Sequence, residues 1–285
     1  MKIMELIRHY DRDKGQHGTV SESLSPKLVQ LMVVFGQLPA DATGMALVAT
    51  AKDALPGVKP GTMLRVLSQL RAVLRVAERD GLIPRAPHIT MPHVYDVIDC
   101  PIVPSEAHLL MQHLRWTAPK WWPLAMVLTH TGARLSEALR LRRLDITESG
   151  ARFIRPVARR SKTVERLVPL TKQLRDSLPT LINIKGSPAS LLFETLLGTG
   201  AGALKYSRAR CIAAQLGVAI KAATRELGLP EVRVHDLRHV FAAIVAEQGG
   251  DLADIATLLG HTNLKTTLRY RGLVRSRARR LLENV

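Results

Sequence analysis

His235-Asp236-Leu237-Arg238-His239 is followed by Leu258-Leu259-Gly260-His261 and, nine residues after that histidine, by Tyr270 at the end of Thr266-Thr267-Leu268-Arg269-Tyr270. The first segment falls in a predicted helix, Val234 to Gln248, so His235 and Arg238 stand three apart and share a face. Upstream lies Thr131-Gly132-Ala133-Arg134-Leu135-Ser136-Glu137-Ala138. Gly132 and Gly260 each punctuate a predicted helix end, where glycine permits backbone conformations that other residues resist.

Outward from these segments, helical spacing dominates. Helices are expected from Ser105 through Leu114, Trp121 to His130, Ser207 to Leu227, Asp251 to Leu259 and Leu264 to Tyr270, with an arginine-rich one over Val274 to Glu283. Arg152–Val157 and Arg166–Leu170 alternate apolar and polar residues around a polar stretch and read as a β-hairpin. On the N-terminal side, helices are expected near Leu24–Phe35, over Ala42–Lys52, and from a Thr62 cap onward. In that last helix Leu67, Leu70, Leu74 and Ala77 line one face. Arg71, Arg75 and Arg79 recur every four residues on another, with Arg65 preceding them. Like charges at this spacing repel, so an anionic counterpart is expected, although a solvated face is the commoner meaning of such a run.

Five prolines, Pro84, Pro87, Pro92, Pro101 and Pro104, mark the break between two domains. The expected organisation is a polar lead-in over 1–20, a small helical domain over 21–95, a linker over 96–104, and a larger domain with a C-terminal tail over 105–285. The fold class is mainly α with a small antiparallel β-sheet.

Composition narrows the partners. The chain has 285 residues, 46% of them hydrophobic, which suffices for a true core. Its formal net charge is +17 and its pI about 10.6, values typical of a protein that meets a polyanion. Two separated cysteines, Cys100 and Cys211, argue against a disulfide framework and a cysteine zinc site. The charged first twenty residues contain no signal-peptide core, and no apolar run is long enough for a membrane span, so a cytoplasmic protein is expected.

Taken together, TGxRxSE, HxxR, LGH and a tyrosine nine residues beyond the LGH histidine resemble the tyrosine recombinases, or phage integrases, over most of 105–272. The stretch from Lys59 to Ile83 is similar to that family's N-terminal core-binding domain. The resemblance implies a two-domain clamp around duplex DNA and a homotetramer on two sites. DNA-bending accessory proteins are compatible partners. It implies attack by Tyr270 on a phosphodiester to give a 3′-phosphotyrosine, with a 5′-hydroxyl leaving. No metal or nucleotide cofactor is needed.

The residue types suit that chemistry. Arginine is planar, permanently charged and bidentate toward phosphate, which fits Arg134 and Arg238. His235 and His261 would donate to the same oxygens or assist proton transfer. A phenol with an ordinary pKa near about 10 needs a cationic site and a proton acceptor. The family's general-acid lysine is assigned to Lys162, in the hairpin turn. Other readings remain beside these. His235 and His239, at i and i+4, form a possible metal pair, but no HExxH pattern or third ligand accompanies them. Glu137 is either a general base or a salt-bridge partner of Arg134. The arginines after Tyr270 either dock a neighbouring subunit or grip phosphate. A non-catalytic DNA-binding protein and a type IB topoisomerase-like relaxing enzyme are the rival functions.

Overall fold

The computed structural model describes residues 1–16, 26–93, 100–156, 163–182, 187–197, 206–261 and 264–274. Two compact units divide the chain, Met1–Tyr95 and Asp96–Val285.

The first unit is built from α1 (Ile3–Gln16), α2 (Pro26–Phe35), α3 (Gly44–Ala54) and α4 (Pro60–Arg79). A polar lead-in was expected over residues 1–20, but α1 is part of the core. Ile3, Leu6 and Ile7, at i, i+3 and i+4, are fully buried against Leu31 and Phe35 of α2 and Leu70 and Leu74 of α4. Its opposite face carries the charges that disguised it. Helix α4 begins at Pro60, not at a Thr62 cap. Proline fits the first turn, where no backbone N–H is needed.

The second unit contains α5 (Pro104–Thr117), α6 (Trp122–Thr131), α7 (Leu135–Ala138), β1 (Ile146–Thr147), β2 (Gly150–Pro156), β3 (Thr163–Val168), α8 (Lys172–Ile182), α9 (Glu194–Leu197), α10 (Tyr206–Glu226), α11 (Asp236–Glu247), α12 (Leu252–Leu259) and α13 (Leu264–Thr267). Segment 96–104 does not behave as a free linker where it is described. Ile102 is 1% exposed within this unit's core, and Cys100 packs beside it. Ser105 is not the cap of α5 either. Pro104 opens that helix, and the Glu106 carboxylate accepts from the Val103 N–H at 2.8 Å.

Helix α6 is buried from Leu124 through Thr131 and packs on α5, α8 and α11, which makes it the centre of the unit. The antiparallel sheet has the order β1-β2-β3. The expected hairpin is present, with a short first strand added. Pairing of Phe153 with Arg166 puts both on the face shared with buried Ala151 and Val168. The Asp251 carboxylate caps α12, accepting from Ala253 and Asp254 N–H at 2.7 and 2.9 Å. Past α13 the chain tightens into a 3-10 turn, Leu268–Tyr270. The arginine-rich helix expected over 274–283 lies outside the described residues beyond its first position. Among the described residues, no helix is long and apolar enough to cross a membrane.

Candidate active site

Gly132 ends α6 in a left-handed conformation, φ +60°. A Cβ there would stand 2.5 Å from the Phe241 ring and 2.6 Å from the Leu259 side chain. Glycine therefore lets the turn that carries Arg134 pass close to α11 and α12. Arg238, in the first turn of α11, is 3% exposed and fills the same junction. It donates from Nη1 to the Gly132 carbonyl and from Nη2 to the Leu259 carbonyl at 2.7 Å. Both acceptors sit at helix C-termini, the negative ends of α6 and α12. Burial, together with the nearby cations Arg134 and Arg166, pulls the Arg238 pKa down to about 10, so it is still a cation at neutral pH.

Arg134 stands just before α7. Its backbone N–H donates to Glu137 Oε2 and its Nη1 to Glu137 Oε1, each at 2.9 Å. The Arg166 Nη2 of β3 reaches the same carboxylate at 2.8 Å. Burial pushes the Glu137 carboxyl up, but Arg166 and Arg134 outweigh it and hold its pKa at about 2. Glu137 is thus an anchored acceptor for two arginines, the salt-bridge alternative, and its depressed pKa makes it a weak base. Arg166 also lies 4.8 Å over the Phe153 ring, and its buried Nε has no hydrogen-bond partner among the described residues.

The histidines surround the tyrosine. Tyr270 is 2% exposed. His261, at the end of α12, lies nearly parallel to its ring, 22° apart with centroids at 6.1 Å, and its Nδ1 is 2.8 Å from the Thr267 hydroxyl. His239 Nδ1 lies 2.8 Å from the Tyr270 hydroxyl. His235 meets His239 edge to face at 5.2 Å and is itself exposed. Burial lowers the pKa of all three, to about 4 for His239 and His261, so they are neutral at pH 7. Burial raises that of Tyr270, while Arg238, Arg269 and Arg134 oppose the rise.

Five expected site residues, Arg134, His235, Arg238, His261 and Tyr270, are thereby linked around one junction of α6, α7, α11, α12 and the 3-10 turn. Lys162 lies outside the described residues, between the end of β2 and the start of β3. Two participants were not read from the sequence. His239 follows Arg238 directly and faces the tyrosine one helical turn after His235, a spacing that invited only a metal reading. Among the described residues, no group of three or more His, Cys, Asp or Glu is arranged to hold a metal ion. Arg166 carries no local signal, because its partners come from α7 and the α12 terminus.

The α4 arginines belong to the other unit. Arg65 and Arg75 are exposed and Arg71 is half-buried. Arg71, Arg75, Arg85 and His88, with Glu78, line an open groove of about 560 Å³. Arg79 differs from them. It donates to Asp13 Oδ1 at 2.8 Å and to Asp80 Oδ1 at 2.6 Å, so it has the acidic partners that its own helix face lacks.

A buried phenol among histidines and paired arginines is the equipment of a phosphoryl-transfer nucleophile. The phage integrase family pattern matches residues 103–276. Tyrosine recombinase XerC of Mesorhizobium japonicum is 31% identical over 264 residues, covering 86% of this chain and 78% of its own length. XerC of Mycobacterium leprae is 30% identical, covering 81% of this chain and 78% of its own. The Tn1549 transposon integrase in complex with transposon right end DNA shares the fold over 100% of this chain and 99% of its own, with TM-score 0.69 and 18% identity. A lambda integrase from a tetramer bound to a Holliday junction does so over 92% and 78%, with TM-score 0.64 and 15% identity. The chain belongs to the phage integrase family and is a tyrosine site-specific recombinase.

Proposed function

We propose that the enzyme cuts and rejoins duplex DNA at a specific site through a covalent 3′-phosphotyrosine on Tyr270. The observation that carries this is the gathering of Tyr270, Arg134, Arg238, His235 and His261 at one junction by segments far apart in the chain. Arg134 and Arg238 would hold the nonbridging phosphate oxygens as charge builds in the transition state. His235 and His261, neutral in the free protein, would bond the same oxygens. Lys162 would protonate the leaving 5′-oxygen. Neither a metal nor a nucleotide is required, because the phosphoester bond energy is kept in the tyrosyl ester.

The two units would close as a clamp on the duplex, with Arg65, Arg71 and Arg75 of α4 against phosphates. Two strands must be cut on each of two duplexes, so a homotetramer is the working assembly, as in the lambda integrase complex. DNA-bending proteins would act as accessories, in the cytoplasm. The exchange proposed is integration or excision of a mobile element. The fold shared with the Tn1549 transposon integrase over the whole of this chain supports it, and resolution between two like sites is the other exchange the same chemistry allows. Recombination assays with paired like and unlike sites separate these.

The founding test is an SDS-resistant protein–DNA complex on a nicked duplex taken from DNA flanking the gene, formed in the presence of chelator. Wild type should give it and Tyr270→Phe should not. A complex that persists in the mutant moves the nucleophile elsewhere. Tight binding with no complex favours a non-catalytic DNA-binding protein. DNA relaxation without exchange of partners favours the topoisomerase-like reading.

A further inference from the structure

We propose that His239 is the catalytic proton acceptor of Tyr270, taking the phenolic proton as the oxygen attacks and returning it when the strand is rejoined. This rests on Tyr270 being the nucleophile and adds a residue to its machinery.

The geometry separates three histidines that composition cannot tell apart. His239 Nδ1 is 2.8 Å from the Tyr270 oxygen, within hydrogen-bond range. A phenol O–H donates readily, and a neutral imidazole offers one lone pair. Donation to Nδ1 puts the ring proton of His239 on Nε2. His261 lies with its ring nearly parallel to that of Tyr270, and its Nδ1 is engaged by Thr267. His235 contacts His239, ring edge to ring face, and is itself exposed. Only His239 thus aims a ring nitrogen at the phenolic oxygen, leaving the other two for the phosphate.

The surroundings explain when the transfer runs. In the free protein, burial, His235, Arg238 and Arg269 keep His239 unprotonated, while Asp236 pulls the other way. His261 and Tyr270 complete the groups around it. A neutral ring is the state required of an acceptor, but a buried site beside Arg238 and Arg269 opposes a further cation. The bound scissile phosphate brings a negative charge beside Arg134 and Arg238 and offsets the field that disfavours the imidazolium. Proton transfer is thereby coupled to DNA occupancy. The step balances. The tyrosyl O–H breaks and Nε2-protonated His239 gains a proton at Nδ1. The tyrosyl oxygen bonds to phosphorus, the P–O5′ bond breaks, and the 5′-oxygen takes its proton from the general acid. Religation runs the same transfers backward.

The test compares His239→Asn and His239→Phe with wild type and Tyr270→Phe, as full chains, in single-turnover cleavage of the nicked duplex that wild type captures covalently. Asparagine sets an amide oxygen near the Nδ1 position, so it can accept the hydrogen bond but not the proton. Both His239 variants should cleave on the order of 10²–10⁴-fold more slowly, with DNA affinity unchanged. Imidazole added to His239→Gly should restore part of the rate. Asparagine at the wild-type rate would make His239 a positioning residue and overturn the proposal. Faster cleavage by either variant would make the bond a restraint and overturn it equally. If the variants fold poorly, the wild-type pH profile decides. The cleavage rate should fall as pH drops toward the pKa of His239, about 4 in the free protein and higher with the phosphate bound, and a rate unchanged from about pH 8 down to 4 overturns the assignment. Absence of any covalent complex with wild type is a different failure, that of the Tyr270 reading itself.

Discussion

The Arg166 guanidinium occupies the space that a side chain on Gly260 would need, with Nη1 3.0 Å from the position of a Cβ. Gly260 also holds φ +66°, where L-residues are strained. Its absence of a side chain therefore serves two ends: it stops α12 and presents His261, and it lets β3 dock beneath. Arg166 in turn reaches Glu137, which holds Arg134. The sheet, the Arg134 turn and the His261 turn are bolted together at this point.

Gly260→Ala should destabilise the protein by about 1–2 kcal/mol from the left-handed backbone alone. Displacement of Arg166 should add a loss of cleavage rate larger than that stability change explains. Urea unfolding and single-turnover cleavage measure the two effects. A mutant with wild-type stability and rate would show that Arg166 yields without disturbing Glu137.

Glu137 predicts an acid limb in stability. Its carboxyl sits at about 2 in the folded protein, against an ordinary 4.5. A depressed carboxylate pKa stabilises the fold above the unfolded value, and that contribution is lost as pH falls from about 4.5 toward 2. The shift corresponds to at most about 3.5 kcal/mol, taking roughly 1.4 kcal/mol per unit. Glu137→Gln should lower stability at pH 7, because buried Arg166 loses its counter-charge, and should flatten the dependence between about pH 5 and 2. Melting curves across that range provide the check. An unchanged slope would assign the acid sensitivity to other carboxylates.

What the sequence revealed and hid follows from where each signal lives. The start and stop of α12 were legible because Asp251 and Gly260 act on their own backbone. The β2–β3 hairpin was legible because alternation with period two is local. Helix α1 was missed because Arg8, Asp11, Arg12 and Asp13 dominate its composition, although Ile3, Leu6 and Ile7 keep helical spacing. Strand β1, two residues long, is too short to carry a pattern. The five motif residues could be grouped only through resemblance to a family, since no spacing in the chain brings Arg134 to Arg238. His239 and Arg166 gain their meaning from side chains on other elements, so no inspection of their neighbours in sequence would have found them.

The α4 arginines should separate in a salt titration of DNA binding. Each phosphate contact that is lost reduces the slope of log K against log salt by about 0.9. Arg75→Ala, removing an exposed cation at the groove, should weaken binding and reduce the slope by about that amount. Arg79→Ala should leave the slope near its wild-type value, because Asp13 and Asp80 already engage that guanidinium. Its effect should fall on the anchoring of α1, read as faster amide exchange in residues 3–16. Equal slopes for wild type and Arg75→Ala would remove this face from the DNA interface.

Lys162 is best tested by changing the leaving group rather than the protein alone. A 5′-oxygen departs as an alcohol and needs a proton as its bond to phosphorus breaks. A 5′-sulfur departs as a thiolate, the conjugate base of an acid with pKa near about 8.5, and needs none. Lys162→Ala should slow cleavage of ordinary DNA on the order of 10²–10⁴-fold. On a duplex with a 5′-bridging phosphorothioate at the scissile position, the same variant should cleave at close to the wild-type rate. Tyr270→Phe should stay inactive on both substrates, because it lacks the nucleophile whichever group leaves. His239→Asn should stay slow on both, because its defect lies on the attacking side. Persistent slowness of Lys162→Ala on the sulfur substrate would mean that the lysine binds or orients DNA, and the general acid would then have to be sought among the other groups at the junction.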